Sequence, residues 1–578
     1  MTQVLTTKDY AYRRYVEGRL LSLRVNRYSW WVHWRELADY FLPRRYKWLI
    51  TPNQQSRGSP LNQNILDSTG CVYARNLASG LVSGKSSPTS LWFRLRVGYF
   101  DSTQTSPVSL WLAEVERIMY LIFSESNFYN SIATFYYDLV VFGTASQLIY
   151  EDYDNVINCI NPCLGEYYVD IDGKYRPTVF YREFTMTVMA VVREYGYENC
   201  SQAVREAYDL KDGSGLSREI IVAHSIEPNT DGRAKEFGIP ERFKFREAYW
   251  EWGGSASPQG GSASPPGFLR KRGYEEQMAI VGRWDIVSND PYGRSPAMDG
   301  LPDQKQVQLE TRRKAQAIDK MVNPPLVADV QLKNQPANLT PGGITFVSGY
   351  SASGKPGFAS VYDTKFPVQE ITADLEEVKG RLAEIFFNDV LRTASQYETR
   401  SNVTAVEWDL RKSESLVMLG PALERIDNEV LRPVLERVFA IANRAGIIPP
   451  APPEIQNQMM TIDFVSMLAQ AQQATKAGSI ERVLSLAGNM AGVIPGSTDK
   501  INFDYALDKY SSLLNNDPKM MKTDDEVAKI REDRAHQEQA AQQADIAEKL
   551  SRGAKTLARA DTGGASPLQQ LTGGVGAS

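Results

Sequence analysis

A long amphipathic pattern over residues 367–394 constrains the fold of this chain more than any other feature. Apolar side chains recur there at intervals of three and four residues: Ile371, Leu375, Val378, Leu382, Ile385 and Phe386. That spacing places them on one face of an α-helix. Acidic residues, including Glu370 and Asp374, crowd the first turns, where negative charge is favourable near the positive end of the helix dipole. The pattern predicts a single long helix that begins after Pro367.

Two further helices are predicted after this one. Residues 395–402 form a polar break without a helical pattern, and the next helix extends to about Met418. A third helix has apolar residues at helical spacing: Leu423, Ile426, Val430, Val434, Val438 and Ile441. It ends at Gly446, ahead of two prolines. Pro433 lies inside this helix and is expected to kink it, because proline has no N–H to donate to the preceding turn.

Residues 1–295 are predicted to form one α+β body. Helical patterns cover residues 12–42, 66–81, 110–124 and 201–210, and strand patterns cover 91–97, 147–151, 165–170, 174–184, 219–225, 245–252 and 278–284. Asp172 and Gly173 lie between two of these strands and signal a hairpin. The six residues Gly-Gly-Ser-Ala-Ser-Pro occur twice within 253–267. This segment is predicted to be a flexible surface loop, because such a composition cannot bury a core.

The remaining segments differ in composition. Residues 303–322 predict a largely polar helix, whereas 323–366 are rich in Gly, Pro and Ser, with short strand patterns at 326–332 and 344–347. Residues 447–543 predict a strand at 455–461 and helices at 463–477, 480–490, 505–515 and 524–543. Residues 544–578 begin with helix-forming residues and become rich in Gly and Ser, so this tail is predicted to be disordered.

The charge of the chain is unevenly distributed. The formal net charge of the 578 residues is −5. Residues 1–60 contain 11 Lys and Arg against 4 Asp and Glu, a net charge of +7, so the remainder carries −12. Such a basic segment is interpreted either as a surface for DNA or an acidic neighbour, or as an ordinary solvated face. No run of about 18 uncharged apolar residues occurs, so no transmembrane helix is expected, and the N-terminus lacks the apolar core of a signal peptide.

Few residues point to chemistry. Residues 349–355 fit the first seven positions of a phosphate-binding loop, but position 356 is proline where a Ser or Thr would bind magnesium. A Gly/Ser turn is the preferred interpretation, and ATP binding is the alternative. Cys159 and Cys163 have no second pair of cysteines or histidines to complete a zinc site, so buried free thiols are expected. The three histidines, His33, His224 and His536, are scattered. No catalytic residue, metal site or cofactor is predicted.

The order of these features resembles the portal proteins, or head-to-tail connectors, of short-tailed, podovirus-type bacteriophages. The resemblance covers about residues 10–540 and rests on many short motifs in the same order: Gly165-Glu166-Tyr167-Tyr168-Val169, Arg182-Glu183-Phe184, Thr404-Ala405-Val406-Glu407, Leu419-Gly420-Pro421 and Asn428-Glu429-Val430-Leu431-Arg432-Pro433. It implies a mixed α+β, helix-rich portal fold. The implied parts are a wing (1–295), a first stem helix (296–322), a clip (323–366), a second stem helix (367–394), a channel loop (395–402), wing helices (403–446), a helical crown (447–543) and a disordered tail (544–578).

The resemblance also implies a function without enzymatic activity. Subunits are expected to form a ring, a dodecamer, at one capsid vertex, through which double-stranded DNA enters during packaging and leaves at infection. The implied partners are the large terminase subunit, tail adaptor and tail proteins, and the major capsid and scaffolding proteins, with no membrane. The protein would be made in the cytoplasm of the host bacterium and reside at the head–tail junction of the virion. The alternatives are another virion structural protein, such as a tail adaptor or scaffold, or a packaging ATPase.

Two sets of residues are candidate sites under this resemblance. The set expected to face DNA at the channel loop is Arg392, Gln396, Tyr397 and Arg400. The set expected to dock the packaging motor, and later the tail, is Tyr350, Lys355 and Phe358 in the clip.

Overall fold

The computed structural model describes residues 7–43, 45, 64–97, 107–229, 237–252, 267–322, 326–328, 358–360, 367–388, 419–455, 460–464, 478–486, 502–513 and 524–559. The chain divides into two compact units. The first comprises residues 1–94, 118–448 and 464–468, and the second comprises 95–117, 449–463 and 469–578. The described residues form a helix-rich, mixed α+β architecture, as the sequence predicted.

In chain order the helices are α1 (Thr7–Asn26), α2 (Tyr28–Phe41), α3 (Thr69–Lys85), α4 (Pro107–Glu125), α5 (Phe128–Phe142), α6 (Val188–Tyr195), α7 (Gln202–Tyr208), α8 (Pro296–Val322), α9 (Val368–Ile385), α10 (Arg432–Arg444), α11 (Phe503–Leu513) and α12 (Asp524–Arg559). Residues 419–426 and 478–486 are also helical, and Asp427–Leu431 is a π-helix directly before α10. The strands are β1 (Phe93–Val97), β2 (Thr144–Asp152), β3 (Val156–Ile160), β4 (Tyr167–Ile171), β5 (Pro177–Thr187), β6 (Glu219–Pro228), β7 (Phe245–Trp252), β8 (Arg270–Tyr274), β9 (Ala279–Arg283), β10 (Leu326–Ala328), β11 (Phe358–Ser360) and β12 (Met460–Phe464).

An antiparallel five-stranded sheet in the order β4-β5-β6-β7-β8 forms one part of the first unit. Side chains alternate between the two faces of a strand, and both faces of this sheet are covered. Ala223 and Trp250 pack in a core with apolar residues of α1, including Tyr12. Their strand neighbours Val222 and Tyr249 pack on the opposite face with residues of α6 and α7. The sheet is therefore the middle layer between α1 and the α6–α7 pair.

A smaller antiparallel sheet, in the order β3-β2-β9, follows α5. Gly143 joins α5 to β2 with a φ of 74°, in the left-handed region that glycine adopts readily. A Cβ atom at Gly143 would lie 2.3 Å from the carbonyl oxygen of Gly293. At Gly282, in β9, a Cβ atom would lie 2.4 Å from Val430. Both glycines therefore allow close contact between this sheet and the segments packed on it.

The N-terminal helix predicted over residues 12–42 is wrong as a single element, because it is divided into α1 and α2 at Arg27. The side chain of Arg27 is buried. Its Nη1 donates to the carbonyl oxygens of Leu164, Gly165 and Tyr167, and the guanidinium lies 3.8 Å from the centroid of the Tyr168 ring. These contacts with a distant part of the chain hold the junction between the two helices.

The other arginines near the N-terminus also take part in internal contacts. Arg19 pairs with Asp170, and Arg24 pairs with Glu183 at 2.7 Å. Arg13 donates from Nη2 to a backbone carbonyl of β7 at 2.6 Å. Arg13, Arg19 and Arg24 of α1 therefore take part in contacts within the subunit, which neither interpretation of the basic segment predicted.

Several strand predictions are confirmed. The predicted hairpin is β4 and β5, joined by a turn in which the Asp172 carboxylate accepts from the backbone N–H groups of Lys174 and Arg176. The strands predicted over 219–225, 245–252 and 278–284 correspond to β6, β7 and β9. The sequence patterns did not predict β3, β8 or α6.

The segment after residue 418 departs from a regular helix at the predicted proline. The helix over 419–426 passes into the π-helix before α10 begins, and the backbone N–H of Arg432 donates to the carbonyl of Asp427. Pro433 has no N–H and its ring would clash with the carbonyl four residues earlier. A π-helical turn therefore lies just before Pro433, and the helix ends near Gly446 as expected.

The helices α11 and α12 belong to the second unit, as do most residues of β1 and β12, which pair with each other. The strand predicted over 455–461 lies instead at Met460–Phe464. Helix α12 continues to Arg559, so the prediction of a disordered tail from residue 544 is wrong for 544–559. Good helix formers and the pairs Asp545–Lys549 and Glu548–Arg552, each spaced by four residues, stabilise this extension.

Candidate functional site

The helices α8 and α9 pack against each other in antiparallel orientation within the first unit. Near the start of α8, a Cβ atom at Gly300 would lie 3.1 Å from Leu382 and 3.4 Å from Phe386 of the α9 end. One turn further along α8, Asp303 accepts from Arg381 at 3.4 Å. Leu375, like Leu382, is buried on the apolar face of α9. Helix α8 begins at Pro296, before the pattern predicted over 303–322, and ends with it at Val322. Helix α9 ends at Ile385, and Phe386 and Phe387 form a turn in which Phe387 has a φ of 52°, so the prediction of one uninterrupted helix over 367–394 is wrong at this point.

Side chains from both helices contact the segment just before α3. The buried side chain of Gln308 accepts from the backbone N–H groups of Leu66 and Asp67 at 2.7 and 3.0 Å, and donates to the Asp67 carbonyl at 2.7 Å. From α9, Lys379 pairs with the Asp67 carboxylate at 2.9 Å. Partial burial opposes ionisation of Asp67, but hydrogen bonds from Thr69 and Lys379 outweigh it and lower the pKa of this carboxyl. These contacts fix the base of the helix pair on the body.

The π-helix before α10 is anchored by two ion pairs. Asp427 accepts from Lys85, at the end of α3, at 2.6 Å. Glu429 accepts from Arg283, at the end of β9, at 2.5 Å. The Lys85 and Arg283 side chains are 8% and 1% exposed. Breaking one partner of such a buried pair is strongly destabilising, so this segment is a rigid junction between α3, β9 and α10.

A second cluster of charges fixes α10 to the strands. Arg437 is 1% exposed and donates to Glu276 at 2.8 Å, and its guanidinium lies 5.0 Å from the centroid of the Tyr274 ring. Arg444, two turns later, pairs with Glu276 at 2.7 Å and with Glu151 at 2.6 Å. Two arginines therefore share carboxylates from β2 and from the turn after β8.

A buried polar network lies within the five-stranded sheet. His224 Nε2 lies 2.8 Å from Glu247 Oε1, and both side chains are fully buried. Arg182 donates from Nε to His224 Nδ1 at 3.2 Å, which places the imidazole proton on Nε2. The Tyr249 ring stacks on His224 with centroids 4.0 Å apart, and Tyr274 donates to Glu247 at 2.9 Å. Burial, together with the nearby arginine cations, lowers the pKa of His224 to about 4.

The hydrogen bonds of His224 in this network indicate a structural role. The neutral imidazole donates to a carboxylate and accepts from a guanidinium, so its two nitrogens are both satisfied. Its hydrogen-bond partners are Glu247 and Arg182, neither of which is a Ser, Cys or Thr nucleophile. The sequence interpretation missed this network, because His224, Glu247 and Arg182 lie on three strands and only the register of the sheet brings them together.

Most predicted site residues lie outside the described residues. This applies to the channel-loop set and to two clip residues: Arg392, Gln396, Tyr397, Arg400, Tyr350 and Lys355. The third clip residue, Phe358, begins β11, where it is the backbone pairing partner of Ala328 in β10. Two further predictions also fall outside the described residues: the segment 349–355 that resembles a phosphate-binding loop, and the strand at 344–347.

The described residues give three further observations on chemistry. All four cysteines are free, with Cys71 partly buried and Cys159, Cys163 and Cys200 buried. Burial raises the pKa of the Cys159 and Cys163 thiols to about 12. Among the residues placed by the structure, no group of three or more His, Cys, Asp or Glu side chains could hold a metal ion. No helix in the same part of the chain is long and apolar enough to cross a membrane.

Comparisons with known proteins point to one class. The family model described as "Bacteriophage head to tail connecting protein" matches residues 13–521. The chain is similar to the "Probable portal protein" of Bordetella phage BPP-1, with 37% identity over 560 residues, 97% of each chain. It is also similar to the "Portal protein" of Salmonella phage epsilon15, with 32% identity over 560 residues, 97% of this chain and 98% of that protein.

Proposed function

The chain belongs to the family of bacteriophage head to tail connecting proteins, and from that premise we propose that it is the subunit of a phage portal ring. Copies of the chain form a closed ring, a dodecamer, at one vertex of the capsid. Double-stranded DNA passes through its channel during packaging and again at ejection. The mature protein lies at the head–tail junction of the virion, after synthesis in the cytoplasm of the host bacterium.

The hairpin of α8 and α9 is the observation that carries this proposal. The chain follows α8, pairs β10 with β11 in antiparallel register, and returns along α9. Long helices suit a channel wall, because their backbone hydrogen bonds are satisfied internally and their polar faces can contact water. We assign residues 296–322 and 367–394 to the stem, 323–366 to the clip, and 1–295 with 403–446 to the wing.

The remaining assignments follow from the same order of segments. Residues 395–402 form the channel loop, in which Gln396, Tyr397 and Arg400, with Arg392 before them, face DNA. Residues 447–543 form the crown. In the clip, Tyr350, Lys355 and Phe358 dock first the large terminase subunit and then the tail adaptor.

The protein acts as a conduit and docking platform, and it is not an enzyme. The force for packaging comes from a separate ATPase, the large terminase subunit, and the body of the ring contacts the major capsid and scaffolding proteins. The ion pairs of the π-helix and of α10 support a rigid body. Rigidity suits a ring that transmits force between motor, capsid and tail without changing its own chemistry.

Electron microscopy of the purified full-length chain tests the proposal. Closed rings with a central channel are the expected result, and addition of ATP should produce no hydrolysis above the background. A chain that stays monomeric, or forms only open assemblies, both alone and with its scaffolding protein would contradict a portal function and favour a tail adaptor or scaffold.

A further inference from the structure

The α8–α9 pair exposes an acidic face on α9. Glu370, Glu377 and Glu384 recur at seven-residue intervals. Seven residues make almost two helical turns, so these side chains lie along one line of the helix. All three are exposed, on the side of α9 away from its buried apolar face. We call this line, with the small residues between its members, the α9 acidic face.

Small residues separate the three glutamates. Ala373 and Gly380 are exposed, and a Cβ atom at Gly380 would meet no atom within 4 Å. A second helix can therefore approach this face closely, since interaxial distance depends on the side chains at the contact. Arg381 is the cation on this side, and it already pairs with Asp303 and Glu377 of its own subunit.

The last half of α8 exposes the opposite charge. Residues 309–322 contain four Lys or Arg against two Asp or Glu. Arg312 and Arg313 are exposed, with Leu309 and Gln316 on the turns before and after them. Within the described part of the chain neither guanidinium has an ion-pair partner. We call Arg312 and Arg313, with these two neighbours, the α8 basic face.

The two faces lie at the same level along the helix pair. Asp303 of α8 is opposite Arg381 of α9. Arg312 is nine residues after Asp303, and Thr372 is nine residues before Arg381. In antiparallel helices both steps run in the same direction and cover about 14 Å. Arg312 is therefore level with the part of α9 between Glu370 and Glu377.

We infer that the α9 acidic face of one subunit docks on the α8 basic face of the next copy of the chain. This inference rests on the proposed ring. Rotation about an axis parallel to the helix pair keeps each residue at its level, so it brings Arg312 and Arg313 of one copy beside Glu370 and Glu377 of its neighbour. Two different faces in contact make a head-to-tail interface, which closes into a ring when the rotation between copies is a whole fraction of a turn.

We call the contact between the α9 acidic face of one subunit and the α8 basic face of the next the seam. It fixes the register of neighbouring subunits more than it adds affinity. Charge pairs at an interface chiefly supply specificity and exclude wrong partners. Exposed pairs are screened by salt with a Debye length of about 8 Å at physiological ionic strength. The seam therefore predicts ring assembly that weakens as salt is raised.

A charge swap on the full-length chain tests the seam. The acidic-face variant is E370K/E377K, the basic-face variant is R312E/R313E, and the fourfold variant combines them. The control is E198K/E206K, at two exposed glutamates of the first unit outside the helix pair. Ring fraction against concentration is measured by mass photometry at low and high salt, with circular dichroism and thermal midpoint as checks of folding.

The acidic-face variant and the basic-face variant are each expected to raise the protein concentration needed for ring assembly by about tenfold at low salt. The fourfold variant is expected to assemble at the same concentration as the native chain. The control should assemble like the native chain. Unchanged assembly of both reversals, or a fourfold variant that folds but fails to recover, would overturn the seam while leaving the portal function intact. Absence of rings from the native chain, both alone and with its scaffolding protein, would overturn the portal function itself, and the seam with it.

Discussion

Arg283 and Glu429 form a bidentate ion pair between segments 146 residues apart in the chain, with Nη2–Oε1 at 2.5 Å and Nε–Oε2 at 3.1 Å. Arg283 ends β9, and Glu429 lies in the π-helix before α10. The same guanidinium donates to the carbonyl of Tyr175 at 2.7 Å. One buried arginine therefore joins a sheet edge, a hairpin turn and the junction that leads into α10.

Removing the anion of this pair is expected to destabilise the protein. Glu429→Ala leaves the Arg283 guanidinium buried without its carboxylate, which costs about 3–5 kcal/mol in comparable buried pairs. The double variant Arg283→Met with Glu429→Leu should lose less, because no uncompensated charge remains. Denaturant unfolding at fixed protein concentration measures both, with Glu532→Ala on the exposed face of α12 as the control. A Glu429→Ala variant as stable as this control would contradict the role of the pair.

The junction between α5 and β2 gives a prediction from backbone geometry. Gly143→Ala places a methyl group in a left-handed conformation and against the Gly293 carbonyl, so it should lose at least about 1–3 kcal/mol of stability. Gly84→Ala is the matched substitution, because it lies in helix α3 with no atom within 4 Å of the new Cβ. It should instead gain about 0.5–1 kcal/mol. Thermal midpoints that shift in the same direction for both variants would contradict this contrast.

Elements with a strong local pattern could be predicted from the sequence, and those set by distant contacts could not. Strand β7 has the predicted bounds, and α8 was predicted from residue 303 to its end at Val322, because consecutive residues in each have a strand-forming run or helical spacing. The break at Arg27 has no local signal, because the carbonyls that accept from its guanidinium lie more than a hundred residues later. Strand β8, with the sequence Arg-Lys-Arg-Gly-Tyr, lacks apolar alternation and is defined by its pairing with β7.

The same distinction applies to the candidate site. The helix pair was predicted, but the ion pairs that anchor it were not, because no pattern in the sequence marks which arginine is buried or which carboxylate meets it. The assignments of residues 395–402 and of most of 323–366 lie outside the described residues. They remain predictions.

The buried His224 predicts a loss of stability in mild acid. Its pKa is about 4 in the folded protein and near its ordinary value of 6.5 when unfolded, so the unfolded chain takes up the proton first as the pH falls. The stability contributed by the neutral imidazole is complete above pH 6.5 and is lost between 6.5 and 4, with a slope of up to about 1.4 kcal/mol per pH unit.

His224→Gln should therefore show a shallower decline of unfolding free energy over this interval than the native chain. The substitution removes the titrating group and keeps a side chain that can donate to Glu247. His536→Gln, at an exposed position of α12, is the control and should follow the native curve. Denaturant titrations at several pH values give the comparison, and parallel curves for all three proteins would exclude a role for His224.

The clip assignment predicts a separation of assembly from docking. Deletion of residues 335–357 leaves β10 and β11 in the chain, so rings should form while terminase and tail attachment are lost. Purified rings of the native chain and of Lys355→Ala should both show only background ATP hydrolysis in a phosphate-release assay, because Pro356 supplies no hydroxyl for magnesium. Pull-down of terminase by purified rings and electron microscopy of assembled heads measure these outcomes. Normal attachment of tails to heads that contain the deletion would contradict the assignment, and Lys355-dependent ATP hydrolysis would favour the ATPase alternative.

The channel loop predicts an effect on DNA that leaves ring assembly unchanged. Residues 395–402 are polar and lie between two helical patterns. Replacing them by a short Gly/Ser turn would remove the side chains that we propose face DNA. Contacts with a sliding duplex must be weak and screened by salt, so Arg400→Ala and Tyr397→Ala should form normal rings but change the length or retention of packaged DNA. Both are measured by the size and leakage of DNA in assembled heads, beside ring formation by the free protein. Native packaging and retention in heads built with the Gly/Ser turn would show that this loop does not act on DNA.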